Sequence, residues 1–167
     1  MEKKDLKPAG VFKYFEEICQ VPRPSKKEEK MIAYLKTFGA KHNLETKVDE
    51  AGNVLIKKPA TPGKENLQTV VLQSHIDMVC EKNNDVQHDF LTDPIETEID
   101  GEWLKAKGTT LGADNGIGVA TELAILADDS IEHGPLECLF TVDEETGLTG
   151  ACLLYTSPSP RDRTRSR

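Results

Sequence analysis

The chain has 167 residues, which suffices for one ordinary domain core. Its 37% hydrophobic and 30% charged residues are typical of a soluble globular protein, and no run approaches the roughly 20 apolar residues that cross a bilayer. The net charge is −8, and residues 1–160 alone carry −11, which disfavours nucleic-acid binding and favours cations. We therefore expect a cytoplasmic protein without nucleic-acid or membrane partners.

The first half of the chain predicts two helices followed by a hairpin. Apolar residues at helical spacing predict a helix over residues 9–20. Ser25 and Glu28 have the spacing of a capping box, which predicts that a second helix opens there. Strands are predicted over residues 44–48 and 53–57, joined by a turn that contains Gly52.

The second half alternates strands and helices. The apolar run 70–72 predicts a buried central strand, short strands are expected at 95–99 and 102–105, and a helix is expected over 117–127. Another apolar strand is predicted over 136–142. This order predicts an α/β fold in which helices flank both faces of a sheet.

Three polar clusters follow these elements, where ligands bind in α/β domains. His75 and Asp77 lie two residues apart at a strand end, so their side chains leave on one side; a core histidine satisfied by backbone is the alternative. Asp114 stands in a glycine-rich loop, either as a ligand or as a helix N-cap. The run of three acids ending in Glu144 and Glu145 is either a solvated turn or a cation site. Together the clusters favour a site for a hard or borderline cation.

Other common sites fit less well. The segment that begins at Gly116 lacks the third glycine of a dinucleotide fingerprint, and Asp114 would repel a pyrophosphate. The same segment lacks the ligand spacing of an EF-hand. The four cysteines have no regular spacing, so we predict free thiols rather than a zinc ribbon or a disulfide framework.

Three segments of the sequence resemble a known family: 70–79 (VVLQSHIDMV), 110–118 (TLGADNGIG) and 141–147 (TVDEETG). They are similar to the aminoacyl-histidine dipeptidases, also called peptidase D or cytosol non-specific dipeptidases, among the co-catalytic di-zinc metallopeptidases. The resemblance runs from about residue 6 to residue 151, and the segment 82–85 narrows it to the dipeptidase branch. It implies the partial catalytic domain of a di-zinc exopeptidase.

The resemblance implies a role for each matching residue. His75 would bind one Zn²⁺, with Asp77 supporting its imidazole as a catalytic residue. Asp114 would bridge two Zn²⁺ ions, and Glu145 would bind the second. Glu144 would be the general base. The metals would be two Zn²⁺ per active site, with Co²⁺ or Mn²⁺ as substitutes, and the peptide bond that follows Asp114 would be cis.

The implied reaction is the hydrolysis of dipeptides, including Xaa-His dipeptides, by a zinc-activated water. A tripeptidase or an aminoacylase of the same superfamily, and an inactive fragment or non-catalytic metal-binding module, are alternatives. Members of the family have further metal ligands and a second domain beyond the matching region. The resemblance also implies that the intact enzyme forms a homodimer. Residues 1–151 are therefore expected to form the N-terminal part of a catalytic domain, inactive alone. Residues 152–162 resemble a translated sequencing adaptor, which predicts that residues 152–167 form a non-native disordered tail.

Overall fold

Four helices and six strands make up the fold of the computed structural model, which describes residues 2–156. After a 3₁₀ turn at Lys3–Asp5, the elements are α1 (Ala9–Cys19), α2 (Glu29–Lys41), β1 (Glu45–Val48), β2 (Val54–Lys58), β3 (Val70–His75), β4 (Thr97–Asp100), β5 (Trp103–Ala106), α3 (Ala113–Ala127), β6 (Leu136–Thr141) and α4 (Thr149–Thr156). The predicted α/β class is confirmed, and the two helices, the hairpin strands and β6 lie close to their predicted ranges.

The main sheet has four strands in the order β1-β2-β6-β3. β1 pairs antiparallel with β2, and β2 pairs antiparallel with β6. β3 and β6 are parallel, and their register runs from Val70 opposite Leu136 to His75 opposite Thr141. Because parallel strands end at the same edge, the residues that follow His75 and Thr141 are brought together.

The core lies against one face of this sheet. Val54 and Ile56 of β2 and Cys138 and Phe140 of β6 alternate with less buried neighbours and are fully buried. Helices α1, α2 and α3 add apolar side chains to the same cluster, among them Phe15, Ile18, Met31, Leu35, Val119 and Leu123. On the opposite face, residues of β2 and β6 stay partly exposed, including the ion pair Lys57–Glu137. Burial of the alternating apolar side chains therefore fixes which face of each strand is inside.

The start of α2 differs from the prediction. The helix is capped at Glu28, and no side-chain capping hydrogen bond forms there. The capping-box interpretation of Ser25 and Glu28 is therefore wrong. Both side chains instead bond to residues far along the chain: the Ser25 hydroxyl donates to Asp77, and the Glu28 carboxylate accepts from the Asp143 amide. These buried tertiary partners compete with the nearby helix amides.

β3 is an edge strand rather than a central one. Among residues 2–156 it pairs only with β6, and Val70 and Val71 are 50% and 56% exposed. An apolar run is typical of a strand covered on both faces, and this pattern alone does not reveal how many neighbours the strand has. Only the carboxyl-terminal end of β3, at Ser74 and His75, is buried.

The region after residue 148 forms a helix that the sequence patterns did not predict. α4 runs through Thr156, so residues 152–156, which we expected in a disordered tail, are helical. The helix starts against β6, where the Gly150 amide donates to the Val142 carbonyl. Residues 157–167 lie outside the described residues, and the predicted nature of the tail stays a prediction. The four cysteines are free, as expected: Cys19, Cys80, Cys138 and Cys152.

Candidate metal centre

His75 ends β3 and is 6% exposed. Its Nδ1 lies 3.2 Å from the Asp77 carbonyl oxygen and 3.3 Å from Asp77 Oδ1, while its Nε2 lies 3.1 Å from Asp114 Oδ1. Burial alone lowers the pKa of His75, but the hydrogen bonds with Asp77 and Asp114 outweigh it and raise the pKa to about 9. Nε2 of the imidazole thus faces the Asp114 carboxylate, at a position where both groups could bind the same cation.

Asp77 is fully buried and joins two of the polar clusters. Its Oδ1 accepts the backbone N–H of Glu144 (3.0 Å), and its Oδ2 accepts the backbone N–H of Glu145 (3.1 Å) and the Ser25 hydroxyl (2.8 Å). Burial by itself would raise the pKa of Asp77, yet these bonds and that with His75 lower it to about 2. Its lone pairs are engaged by the protein, so Asp77 orients His75 and the following loop rather than binding an ion itself.

Asp114 lies at the start of α3, where the backbone departs from helical angles. Asp114 has φ −89° and ψ 111°, and its peptide bond with Asn115 is cis, as the family resemblance implied. Gly112, just before this stretch, has a left-handed φ of 68°. The Asp114 carboxylate contacts the His75 imidazole, and no side-chain hydrogen bond caps the start of α3. The Asp114 side chain contacts His75 and is otherwise open to solvent, with 89% of its surface exposed. Its carboxylate can therefore bind a further partner.

Glu144 and Glu145 follow β6 in a tight turn. The turn begins at Asp143, which has a left-handed φ of 52° and receives hydrogen bonds on its carboxylate from Thr146 and Thr149. Glu144 Oε2 stands 3.7 Å from His75 Nε2. Burial, together with the carboxylates of Glu144 and Asp114, raises the pKa of Glu145. The carboxylates of Glu145 and its neighbours Glu144 and Asp114 repel one another when all are charged, and a cation bound among them relieves that repulsion.

The three clusters that the sequence singled out therefore meet. One ligand atom from each of His75, Asp114 and Glu145 lies within 4.8 Å of the others. An imidazole with two carboxylates is a donor set that Zn²⁺ takes, and the orienting carboxylate on the other imidazole nitrogen is present. The residues thus fit a metal ion. The buried group Glu28, Asp77 and Asp143 also converges, but these carboxylates accept hydrogen bonds from the surrounding protein.

A cleft of about 410 Å³ opens beside this centre, with Asp114 and Glu145 on one side and Val79 and Leu111 among its apolar walls. A slightly larger groove of about 440 Å³ lies between α1 and α3. The larger groove is lined by none of the proposed ligands, whereas Asp114 and Glu145 both line the cleft, so the cleft is the one that has groups for catalysis.

Three further residues support the site and were not recognised as site residues in the sequence: Arg23, Ser25 and Glu28. They lie on the connection between α1 and α2, which looked like a proline-rich helix end followed by a cap. The hydrogen bonds that tie their side chains to the site reach residues more than 50 positions away. No local pattern in a single sequence indicates such partners.

Comparison with known proteins agrees with this geometry. The model of the peptidase family M20/M25/M40 matches residues 71–160, which include all three clusters. The chain belongs to this family. The predicted recognition is confirmed, and the chain has the α/β architecture of the catalytic domains of M20 peptidases.

Two relatives are dipeptidases. The chain is 52% identical over 150 residues to the cytosol non-specific dipeptidase of Escherichia coli, and the match covers 90% of this chain and 31% of that protein. The crystal structure of an aminoacylhistidine dipeptidase from Vibrio alginolyticus superposes with a TM-score of 0.88 at 55% identity, covering 91% of this chain and 31% of that one. The chain thus spans about a third of the length of these M20 relatives.

A third relative shares the fold at lower identity. A tripeptidase from Staphylococcus aureus matches with a TM-score of 0.69 at 24% identity, over 86% of this chain and 38% of that one. No helix within residues 2–156 has the length and apolar character needed to cross a membrane.

Proposed function

We propose that residues 1–151 form the N-terminal part of the catalytic domain of a metal-dependent dipeptidase. The observation that carries the proposal is the convergence of His75, Asp114 and Glu145, with Asp77 behind the imidazole. Membership of a peptidase family and 52% identity to a dipeptidase support it. The activity belongs to the longer protein, and the 167-residue chain alone is expected to be inactive.

The residues present would hold two Zn²⁺ ions. His75 would bind one ion, Glu145 the other, and Asp114, whose carboxylate is exposed, would bridge them. Bound zinc supplies an activated water and polarises the carbonyl of the scissile bond. The oxygen-rich donor set suits Co²⁺ or Mn²⁺ as substitutes.

Glu144 would move the proton. It is anchored by its own amide on Asp77, and its carboxylate reaches to 3.7 Å from His75 Nε2, so it faces the place where the ligand atoms converge. As general base it accepts a proton from the attacking water and then donates it to the departing amine. Asp77 keeps this loop and the His75 ring in one orientation while the proton moves.

The proposed substrates are dipeptides, including those with carboxyl-terminal histidine. The relatives named as dipeptidases are more than 50% identical to this chain, whereas the tripeptidase is 24% identical and supports only a shared fold. We place the protein in the cytoplasm, as the name of the Escherichia coli relative suggests, and propose a homodimer.

The test is Glu144→Gln in the full-length protein, compared with Glu145→Gln. Glu144→Gln should lower kcat for a dipeptide by about 10² to 10⁴-fold, the usual contribution of a general base, while bound zinc stays at the wild-type level. Glu145→Gln should lower the zinc content itself. Dipeptide turnover by Glu144→Gln at the wild-type rate would refute the role of Glu144. A wild-type protein that binds zinc without hydrolysing any dipeptide would instead support a non-catalytic metal-binding module.

A further inference from the structure

The connection between α1 and α2 contacts all three loops of the candidate metal centre. Ser25 donates to the Asp77 carboxylate, and Glu28 accepts the amide of Asp143, where the turn with Glu144 and Glu145 begins. Arg23 reaches the loop after β3 and the loop that leads to Asp114. One short segment is therefore bonded to every element that carries a proposed ligand.

Arg23 makes the link between two of these loops. Its Nη1 donates to the carbonyl oxygens of Ile76 (3.2 Å) and Asp77 (3.3 Å), and its Nη2 donates to the carbonyl oxygen of Gly112 (2.7 Å). The backbone of Arg23 also accepts the Met78 amide at 3.2 Å, in a bridge between Pro24 and Met78. The guanidinium thus spans from the residues just after His75 to a residue two positions before Asp114.

Burying the charged guanidinium of Arg23 costs free energy, because the group loses its hydration. The side chain is 2% exposed, and its recorded side-chain hydrogen bonds all go to backbone carbonyls, with the Asp77 carboxylate nearby. Burial lowers the pKa of Arg23 accordingly. A flat fork of N–H donors reaches carbonyls on two separate loops at once, which a lysine ammonium does less well.

The glycines of the Asp114 loop leave the space that the guanidinium occupies. A Cβ at Gly112 would lie 2.6 Å from Arg23 Nη2, and a Cβ at Gly116 would lie 2.7 Å from the same atom. At either distance the added Cβ and the guanidinium could not both keep their present positions. The loop that carries Asp114 is therefore shaped around Arg23 on both sides of the proposed ligand.

We propose that Arg23 is a positioning residue that fixes the loop bearing His75 relative to the loop bearing Asp114, and so sets the spacing of the metal ligands. The inference deepens the proposed function and rests on it. Arg23 touches neither metal nor substrate in this scheme. It acts through the Ile76, Asp77 and Gly112 carbonyls, and its loss should widen the distribution of distances between His75 and Asp114.

The experiment compares Arg23→Met with Lys58→Met in the full-length protein. Lys58 is a matched control, because it is also a buried cation (8% exposed) that donates to two backbone carbonyls, those of Ile125 and Asp128 at the far end of α3. Zinc affinity is measured by competition with a chromophoric chelator. Amide hydrogen exchange of peptides covering 74–80 and 110–118 is measured in metal-free protein, with the melting temperature of each variant recorded.

Arg23→Met should bind zinc about 10- to 100-fold more weakly than wild type, as expected when a group that supports metal ligands is removed. Its two loops should exchange about tenfold faster than in wild type. Lys58→Met should keep wild-type zinc affinity and loop exchange even with a comparable loss of melting temperature. Wild-type affinity and exchange in Arg23→Met, or equal losses in Lys58→Met, would overturn the proposal.

Arg23→Lys provides a variant that keeps the buried charge if Arg23→Met does not fold. It should bind zinc more weakly than wild type, because an ammonium does not bridge both loops; undiminished affinity would show that charge alone suffices and would refute the positioning role. A wild-type protein that binds no zinc would refute the metal centre instead, and the exchange of the metal-free loops would still decide the role of Arg23.

Discussion

Glu122 should make the stability of this protein depend on pH. It lies on α3 with its side chain near Ser74 of β3 and Cys138 of β6, is 4% exposed, and its Oε2 has no hydrogen-bond partner. Burial raises the pKa of Glu122 from 4.5 to about 7, and the nearby Ser74 and Cys138 offset this only in part. At neutral pH the fold therefore holds a carboxylate that is half-ionised inside the core.

The direction of the effect follows from the raised pKa. The folded state holds the proton more tightly than the unfolded state, so this contribution to stability is complete below pH 4.5 and is lost as the pH rises through 7. The full loss is about 3 kcal/mol, since each pKa unit corresponds to about 1.4 kcal/mol. Between pH 5 and pH 8 the free energy of unfolding should fall by about 2 to 3 kcal/mol on account of Glu122.

Glu122→Gln isolates this contribution, because glutamine has nearly the same shape and stays neutral. The free energy of unfolding is measured by urea titration at pH 5 and pH 8 for both proteins, so that other titrating groups cancel. From pH 5 to pH 8 the free energy of unfolding of the variant should rise by about 2 to 3 kcal/mol relative to that of wild type. Glu102→Gln, at an exposed position, should show no such change. A stability difference between wild type and Glu122→Gln that does not vary with pH would refute the buried ionisation.

Two further substitutions test the bonds that shape the centre. Glu28→Met leaves the buried Asp143 amide unpaired and should lower the free energy of unfolding by about 1–3 kcal/mol. Glu28→Gln keeps an acceptor, so thermal unfolding should show a smaller loss of stability. Equal losses of stability in the two variants would contradict the acceptor role of Glu28. Asp77→Asn presents an amide N–H to groups that donate, and should weaken zinc binding in a chelator competition by about 10- to 100-fold, so unchanged affinity would contradict its orienting role.

The meeting of the three polar clusters was predictable because it depends on local patterns. His75 and the acids at Glu144 and Glu145 each follow an apolar strand, and parallel strands end at one edge. Asp114 opens a helix that packs against β3, so its loop also lies near that edge. The sequence therefore predicted that each cluster lies at the end of a strand or the start of a helix. The parallel pairing of β3 with β6, which the sequence did not predict, then brings the clusters together.

The supports of the site were not predictable in the same way. Ser25 and Glu28 match a capping box in spacing, and the choice between a local amide and a distant partner depends on tertiary packing. Arg23 between two prolines indicated only that a helix ends. Arg23 acts by donating hydrogen bonds to the backbone carbonyls of residues 76, 77 and 112. Because every residue has a backbone carbonyl, the sequence does not indicate which ones an arginine will bind.

The parallel pairing of β3 with β6 sets the position of His75 relative to the turn that carries Glu144 and Glu145. Six consecutive residue pairs end at His75 opposite Thr141, so backbone hydrogen bonds, rather than any one side chain, set how far His75 stands from the turn at Glu144. Sliding either strand by one residue would move its end by about 3.3 Å and turn its side chains to the opposite face. Changes of chain length within these two strands should therefore be far less tolerated over evolution than exchanges of one apolar side chain for another.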